Sequence, residues 1–520
     1  MPSITRRAIR RGLLLTVALV AAPLHAETLA DALAKAYQSN PELEAQRART
    51  RASDEVVTQA KAQFGPQISA SGSYVYAAER TNGVFGGERD GATHTYEVTL
   101  DQPLFTSGQL AANLNSAEAG RLASLEQLRF TEQNMIADVV IAYVAVQRDL
   151  AIYRVRTQIA QLLDEQFATT SERLRLRDVT ISDLEQTDNR RQVALAQARE
   201  ALASLQGSAA NYRRLVGNYP TDLAPLPMPP ELPGLQPLYA LAEQHSPQIL
   251  ASRYNELASR ETLALRRAER GPVISGTASA QRSPLSQFSD LSRSQAFFVG
   301  VSVRMPLYTG GALTSRVREA RELNEADIFD VEQARRSVRS TIGARWAQAE
   351  AATSATPIYE NSILAAQRAL EGVRRQEQAG TRTSRDVLIA TNDLLESRVA
   401  AIGSAANGYA ATVLALAEAG LLDVAQFGAD VAPYDPLAYD PALSDLAGLP
   451  LRPLVDPLDS LVLDDGRDMP DVVEENDGTY ASPPVGANGQ TMPSAVIPNP
   501  HISEDPSAPA TVPQGPSYQP

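Results

Sequence analysis

The chain has 520 residues, no cysteine, and 61 acidic against 47 basic side chains, for a formal charge of -14. Without cysteine there is no disulfide framework, no thiolate metal site, no cysteine nucleophile and no lipid anchor on a processed N-terminal cysteine. Net acidity makes a poor polyanion binder, so no nucleic acid partner is expected.

In chain order, Arg6, Arg7, Arg10 and Arg11 precede an apolar run from Leu13 to Ala22. Pro23 and Leu24-His25-Ala26 follow, the layout of a secretory signal with cleavage expected after Ala26. The run is about half of the ~20 residues that a spanning helix needs. No later stretch reads as a membrane helix, so any membrane crossing must use a closed β-barrel, which alone besides helices satisfies its own backbone in lipid.

Landmarks then recur in order. Pro41 answers to Pro247 and Gly65-Pro66 to Gly271-Pro272; further on, Pro103-Leu104 answers to Pro306-Leu307, Thr106 to Thr309, Gly108 to Gly311 and Asp183 to Asp386. So many matches in register imply a duplicated unit. Its parts are a signal peptide at 1–26, a first repeat at 27–220, a Pro-rich linker at 221–237, a second repeat at 238–427 and an acidic Pro-rich tail at 428–520.

Each repeat opens on a helix, Pro41 to Phe64 or Pro247 to Arg270, ended by Gly-Pro. Alternating segments follow at Gln67 to Ala77, Thr93 to Leu104, Val273 to Gln281 and Gln295 to Leu307. In the last, Phe297, Val299, Val301, Val303 and Met305 share one face and Gly300, Ser302 and Arg304 the other, a barrel-wall pattern. Arg80 to Ala92 and Ser283 to Arg293 read as exposed hairpin loops. Tyr74, Tyr76 and Tyr96 suit either an aromatic girdle or plain sheet packing.

From Gln109 to about Arg175 there is no proline and one glycine, Gly120. Some 65 residues at 1.5 Å each make a helix about 100 Å long. Met135, Val139, Tyr143, Val146, Leu150 and Tyr153 keep coiled-coil spacings. A turn near Arg177 leads into a return helix to about Val216, and the second repeat does the same over Ala312 to Ala379 and Ser384 to Leu422. Pro357 is expected to kink or break its helix. Four strands cannot close a barrel, for which about eight is the usual minimum. Three chains would supply twelve.

Asp101-Gln102-Pro103-Leu104-Phe105, Met305-Pro306-Leu307-Tyr308-Thr309-Gly310-Gly311 and the turn from Gly380 through Thr381, Arg382, Thr383, Ser384, Arg385 and Asp386 to Leu388 carry a resemblance to the TolC family of outer-membrane efflux and secretion channels. The resemblance covers roughly Thr28 to Val424. It implies a mainly α fold with a membrane β-barrel: a homotrimer with a 12-stranded barrel in outer-membrane lipid, four strands from each chain, and a helical tunnel through the periplasm of a Gram-negative cell. The closed tunnel tip opens on a periplasmic adaptor (membrane fusion) protein and an inner-membrane transporter. The implied function is a passive exit duct of a tripartite efflux pump or a type I secretion system, with no cofactor and no enzymatic activity.

At the tip, Thr180-x-x-Asp183 and Thr383-x-x-Asp386 are capping boxes, which account for both aspartates structurally. The resemblance adds a second role, a constriction held by Arg382, Asp386, Asp183 and Glu377, with the turns at Arg177, Thr180, Gly380 and Thr383 meeting the adaptor. The chain departs from the family where Ile389 replaces a second acid, Glu377 a gating tyrosine and Arg177 a tip glycine. His25, His94, His245 and His501 are scattered and suggest no metal or catalytic cluster. Trp346 is expected to pack on a neighbouring helix.

After Gly428 lie 17 of the 34 prolines and 15 acids against Arg452 and Arg467, a composition that predicts disorder for most of the tail. The rival to a channel is a secreted coiled-coil tether without a pore. It leaves the two strand hairpins, placed alike in both repeats, without a purpose.

Overall fold

The structure, a computed structural model, describes residues 26–84, 86–432 and 434–435. The expected signal peptide, but for Ala26, and most of the tail expected to be disordered lie outside these residues.

Each repeat begins with a helix pair. Helices α1 (Leu29–Ser39) and α2 (Pro41–Ala62) open the first, and α5 (Leu235–His245) and α6 (Pro247–Ala268) the second. The short α1 and α5 were not expected; each is only three turns long, α1 has no proline or glycine signal just before it, and the Pro233-Gly234 pair that starts α5 reads equally as Pro-rich linker. Thr28 and Asp31 cap α1 reciprocally, and the Asn40 side chain accepts from the first amides of α2, with Pro41 at the first helical position where no amide is needed.

Strands β1 (Gln67–Arg80), β2 (Glu88–Phe105), β3 (Val273–Ser286) and β4 (Ser289–Arg304) form one antiparallel sheet in that order. They run further than expected at the hairpin ends, into residues assigned to loops, whereas β4 stops at Arg304, short of the expected Met305 to Leu307, where Pro306 has no amide to give the ladder. Glu79 lies opposite Arg89 and Arg80 opposite Glu88, so opposite charges pair across the β1–β2 extension and keep a hydrated stretch in register. The registers sort most side chains by polarity, with Phe298 and Val75 as apolar exceptions on the polar face. Ile68, Tyr74, Tyr96, Val98, Leu100, Ala278, Ala280, Phe297, Val299, Val301 and Val303 share one face; Ser69, Ser71, Thr95, Glu97, Thr99, Thr277, Ser279 and Ser302 share the other. The apolar face is open: Phe297, Val299, Val301 and Val303 are each about 70% exposed. The outer edges of β1 and β4 have no partner strand among the described residues.

The second strand of each pair turns into a long helix through residues with left-handed backbone, Ser107 and Gly108 in the first repeat, Gly310 and Gly311 in the second. Helix α3 (Gln109–Arg175) and helix α7 (Ala312–Gln378) are 67 residues each, and α4 (Ile181–Val216) and α8 (Ser384–Glu418) return beside them. Pro357 does not break α7: the helix is continuous through it, and the hydroxyls of Thr353 and Thr356 bond back to the Ala349 and Ala352 carbonyls at 2.9 Å. One turn lacks its amide bond, while the packing of α8 along α7 persists.

By length and composition α8 is also apolar enough to cross a bilayer, contrary to expectation. Its Tyr409, Val413, Ala415 and Leu416 are instead buried against α3 and α7. The main core sits there, where Val139, Val140, Tyr143, Tyr212, Val413 and Leu416 meet α1. Of the expected seam of α3, Met135, Val139, Tyr143 and Val146 are buried, while Leu150 and Tyr153 remain half-buried in the single chain.

The linker is a packed strap. Glu27 bridges Leu223, the Tyr143 hydroxyl donates to the Ala224 carbonyl at 2.7 Å, and Trp346 Nε1 donates to the Pro233 carbonyl at 3.1 Å. The C-terminal segment is likewise held past the boundary drawn at 428. Gln133 clamps both backbone groups of Leu422, Ala429 is buried, and the Tyr434 amide donates to the Tyr37 hydroxyl at 3.0 Å. The Arg47 guanidinium lies 4.7 Å from the Tyr37 ring and 4.8 Å from the Tyr434 ring.

Candidate functional site

The two helical hairpins end in turns of one construction. Helix α3 stops when Arg177 takes a left-handed backbone (φ 62°), and α7 stops when Gly380 does the same (φ 74°). In each turn the last carbonyls are capped by reverse bonds: Arg177 N–H donates to Leu174 O and Asp178 N–H to Arg173 O, as Gly380 N–H donates to Glu377 O and Thr381 N–H to Gln376 O, all at 2.9 Å.

The returning helices start with the capping boxes read from the sequence. The Thr180 amide donates to Asp183 Oδ2 at 3.0 Å and the Asp183 amide to Thr180 Oγ1 at 3.2 Å; the corresponding bonds of Thr383 and Asp386 are 3.0 and 3.4 Å. Both carboxyls are held below their ordinary pKa. For Asp183 the Thr180 hydroxyl is the chief cause and its amide the next, and for Asp386 the order is the Thr383 amide and then its hydroxyl.

Arg382 reaches Asp386 only at 3.8 Å, with more than half its side chain in solvent, so within one chain this pair is loose. The tighter tie joins the two hairpins. Arg173, in the last turn of α3, bonds Asp178 across its own turn at 2.8 Å and reaches Glu377 of α7 at 3.1 Å. Glu377 also accepts from Ser384 Oγ at 3.1 Å, and its side chain is only 20% exposed. Further from the turns, Arg156 of α3 donates to Glu396 of α8 at 3.4 Å, and Leu388 of α8 packs among Ala160, Leu163 and Ala194 of the first hairpin.

The residues expected at the tip are therefore side by side, but joined differently from expectation. Asp183 and Asp386 each serve their own helix, Arg177 and Gly380 make the turns, and Glu377 alone bridges the hairpins. Its partner Arg173 was missed. No local pattern marks it, because the residue that the duplication sets against it is Gln376 and not a basic side chain.

The sequence matches the family described as outer membrane efflux protein over residues 32–218 and 238–419. It is 32% identical to the outer membrane efflux protein BepC of Brucella suis over 421 residues, 81% of this chain and 91% of that one. With the outer membrane protein TolC of Escherichia coli it shares 26% identity over 391 residues, 72% of this chain and 78% of TolC. Among solved structures, the CmeC outer membrane channel of Campylobacter jejuni matches with a TM-score of 0.68 at 14% identity, over 75% of this chain and 85% of that one. That last likeness is one of fold.

Proposed function

The chain belongs to the outer membrane efflux protein family, and we propose that it works as a trimer whose helical hairpin ends form a closable mouth, bound by Arg173 and Glu377. The protein is an outer-membrane exit duct of the kind that serves efflux pumps and type I secretion systems. One observation carries a barrel shared between chains, a four-stranded sheet with one open apolar face, one largely polar face and two edges unpaired among the described residues, and membership of the family supports three chains rather than two. Such a sheet satisfies its edges in lipid only by joining other sheets, and three copies give twelve strands around a polar lumen.

The periplasmic mouth is where the partners act in this reading. An adaptor protein grips the turns at Arg177, Thr180, Gly380 and Thr383, and an inner-membrane transporter feeds the duct. Opening separates the two hairpins of each chain, so the Arg173 to Glu377 pair must break. Asp386, three to a trimer, stands beside Arg382 as a weaker restraint. An exposed pair of this kind is worth about 0.2–1 kcal/mol. Three such pairs hold a mouth shut and still yield to a partner.

Two measurements test this. The mature chain extracted in detergent should run as a trimer and conduct ions in planar bilayers; a monomer soluble without detergent would refute the channel and favour the tether. Arg173→Ala and Glu377→Gln should each raise conductance and weaken its dependence on salt, and Arg382→Ala should do so less. Unchanged conductance with lower amide protection at the turns would leave these residues a purely structural role.

A further inference from the structure

We infer that the lipid-facing wall carries a binding site for a phosphorylated glycolipid of the outer leaflet, with Arg282 as its phosphate ligand. The site rests on the reading that the apolar face of the sheet meets lipid.

The register fixes its place. Arg282 of β3 lies opposite Tyr96 of β2 and Gln295 of β4, on the same face as Tyr74, Val98, Ala280 and Phe297. Nine residues of tilted strand separate it from Val273 at the helix end of β3, a rise of about 23 Å along the barrel axis. The apolar band of such barrels is about 25 Å tall. Arg282 thus stands at the outer rim of the band, level with Tyr96 and one step beyond Phe297, at the height of lipid headgroups.

Charge singles it out there. Further out along the strands, Asp90 accepts from the Tyr76 hydroxyl at 2.6 Å, Asp290 takes both His94 and Arg293, and Arg80 faces Glu88 in register, so opposite charges stand together there. Glu97 belongs to the polar face. Arg282 is exposed and has no ion-pair partner among the described residues. A bare guanidinium at that height complements a phosphate, which it can hold by two parallel bonds.

Below it the wall is hollow. Tyr96, Val98, Ala280, Gln295 and Phe297 help line a depression of about 510 Å³ that reaches Arg282, with Glu97 at its border from the polar side of the sheet. Tyr96, Val98, Ala280 and Phe297 give it apolar lining, which suits an acyl chain. The Gln295 amide and the Tyr96 hydroxyl are the neutral polar groups that a sugar would meet. The hairpin end of the sheet faces away from the helices, so the leaflet in reach is the outer one, where phosphate, sugar and acyl chain occur together in lipid A.

The test is a titration of the delipidated mature chain in detergent, read by native mass spectrometry. Lipid A carrying both phosphates should bind at least about tenfold tighter than chemically dephosphorylated lipid A. Arg282→Gln should erase that preference, and Ala280→Trp, which fills the hollow and keeps the arginine, should weaken both forms. Conductance of Arg282→Gln should match the wild type. A preference that survives in Arg282→Gln, or phosphatidylglycerol binding as tightly as lipid A, would overturn the site alone. A wild-type chain that takes up no detergent would overturn the membrane-facing wall with it.

Discussion

At the apex of the first hairpin, Arg177 adopts a backbone that costs an L-residue about 1 kcal/mol and that its repeat partner Gly380 adopts freely. Arg177→Gly should raise stability by about 0.5–1 kcal/mol in urea unfolding of the detergent-solubilised protein, whereas Arg177→Ala should keep the strain. Ser107 shares the conformation at the strand-to-helix joint, but its hydroxyl donates to the Pro272 carbonyl at 2.7 Å, so Ser107→Gly loses a bond as it gains freedom and should change little. The capping aspartates add a pH dependence. Asp183 and Asp386 have folded pKa values below their unfolded ones, so their contribution is full above the ordinary carboxylate range and is lost as pH falls through the folded value. Hydrogen exchange at the first turns of α4 and α8 should rise on acidification below about pH 4, and Thr180→Ala with Thr383→Ala should bring that faster exchange to neutral pH. These caps were legible in the sequence because a capping box lies within four residues. Arg173 and Glu377 were not legible as a pair, since 204 residues separate them.

Among the elements, the long helices and the four strands follow from period and punctuation, and the comparisons agree with that architecture. The strand ends and Pro357 depart from that pattern, each for a physical reason. Charged residues suggest loops, yet cross-strand partners such as Glu79 and Arg89 let the ladder continue in water. Proline was expected to kink or break α7, yet the contacts of a 67-residue helix with α8 outweigh one missing amide bond. Pro357→Ala should therefore stabilise the hairpin by about 1–3 kcal/mol, seen as a higher urea midpoint without a change in helix content. Gly408 makes the opposite case. A Cβ there would lie 2.5 Å from that of Ala352, so Gly408→Val should force α7 and α8 apart at a cost of about 1–3 kcal/mol.

For the whole molecule, the charge of -14 misleads. The tail after Gly428 holds 15 acids against two arginines and the N-terminal 26 residues four unopposed arginines, so the residues between them carry only -5. The tail's composition marked it as a separate segment, but could not show that the boundary falls after Tyr434 rather than before it, because that contact depends on Tyr37 and Arg47 some 390 residues away. Ending the chain after Asp435 should leave melting and conductance unchanged. Ending it after Gly428 removes one ring from the Arg47 sandwich and should cost about 1–2 kcal/mol, read as a lower melting temperature. The unpaired edges of β1 and β4 bear on the protein's life before assembly. A single chain crossing the periplasm carries two adhesive strand borders beside a greasy surface, a template for amyloid-like stacking with its own kind. On the trimeric reading, wall closure and entry into lipid then favour a single step, since each sheet is protected only once its neighbours are in place.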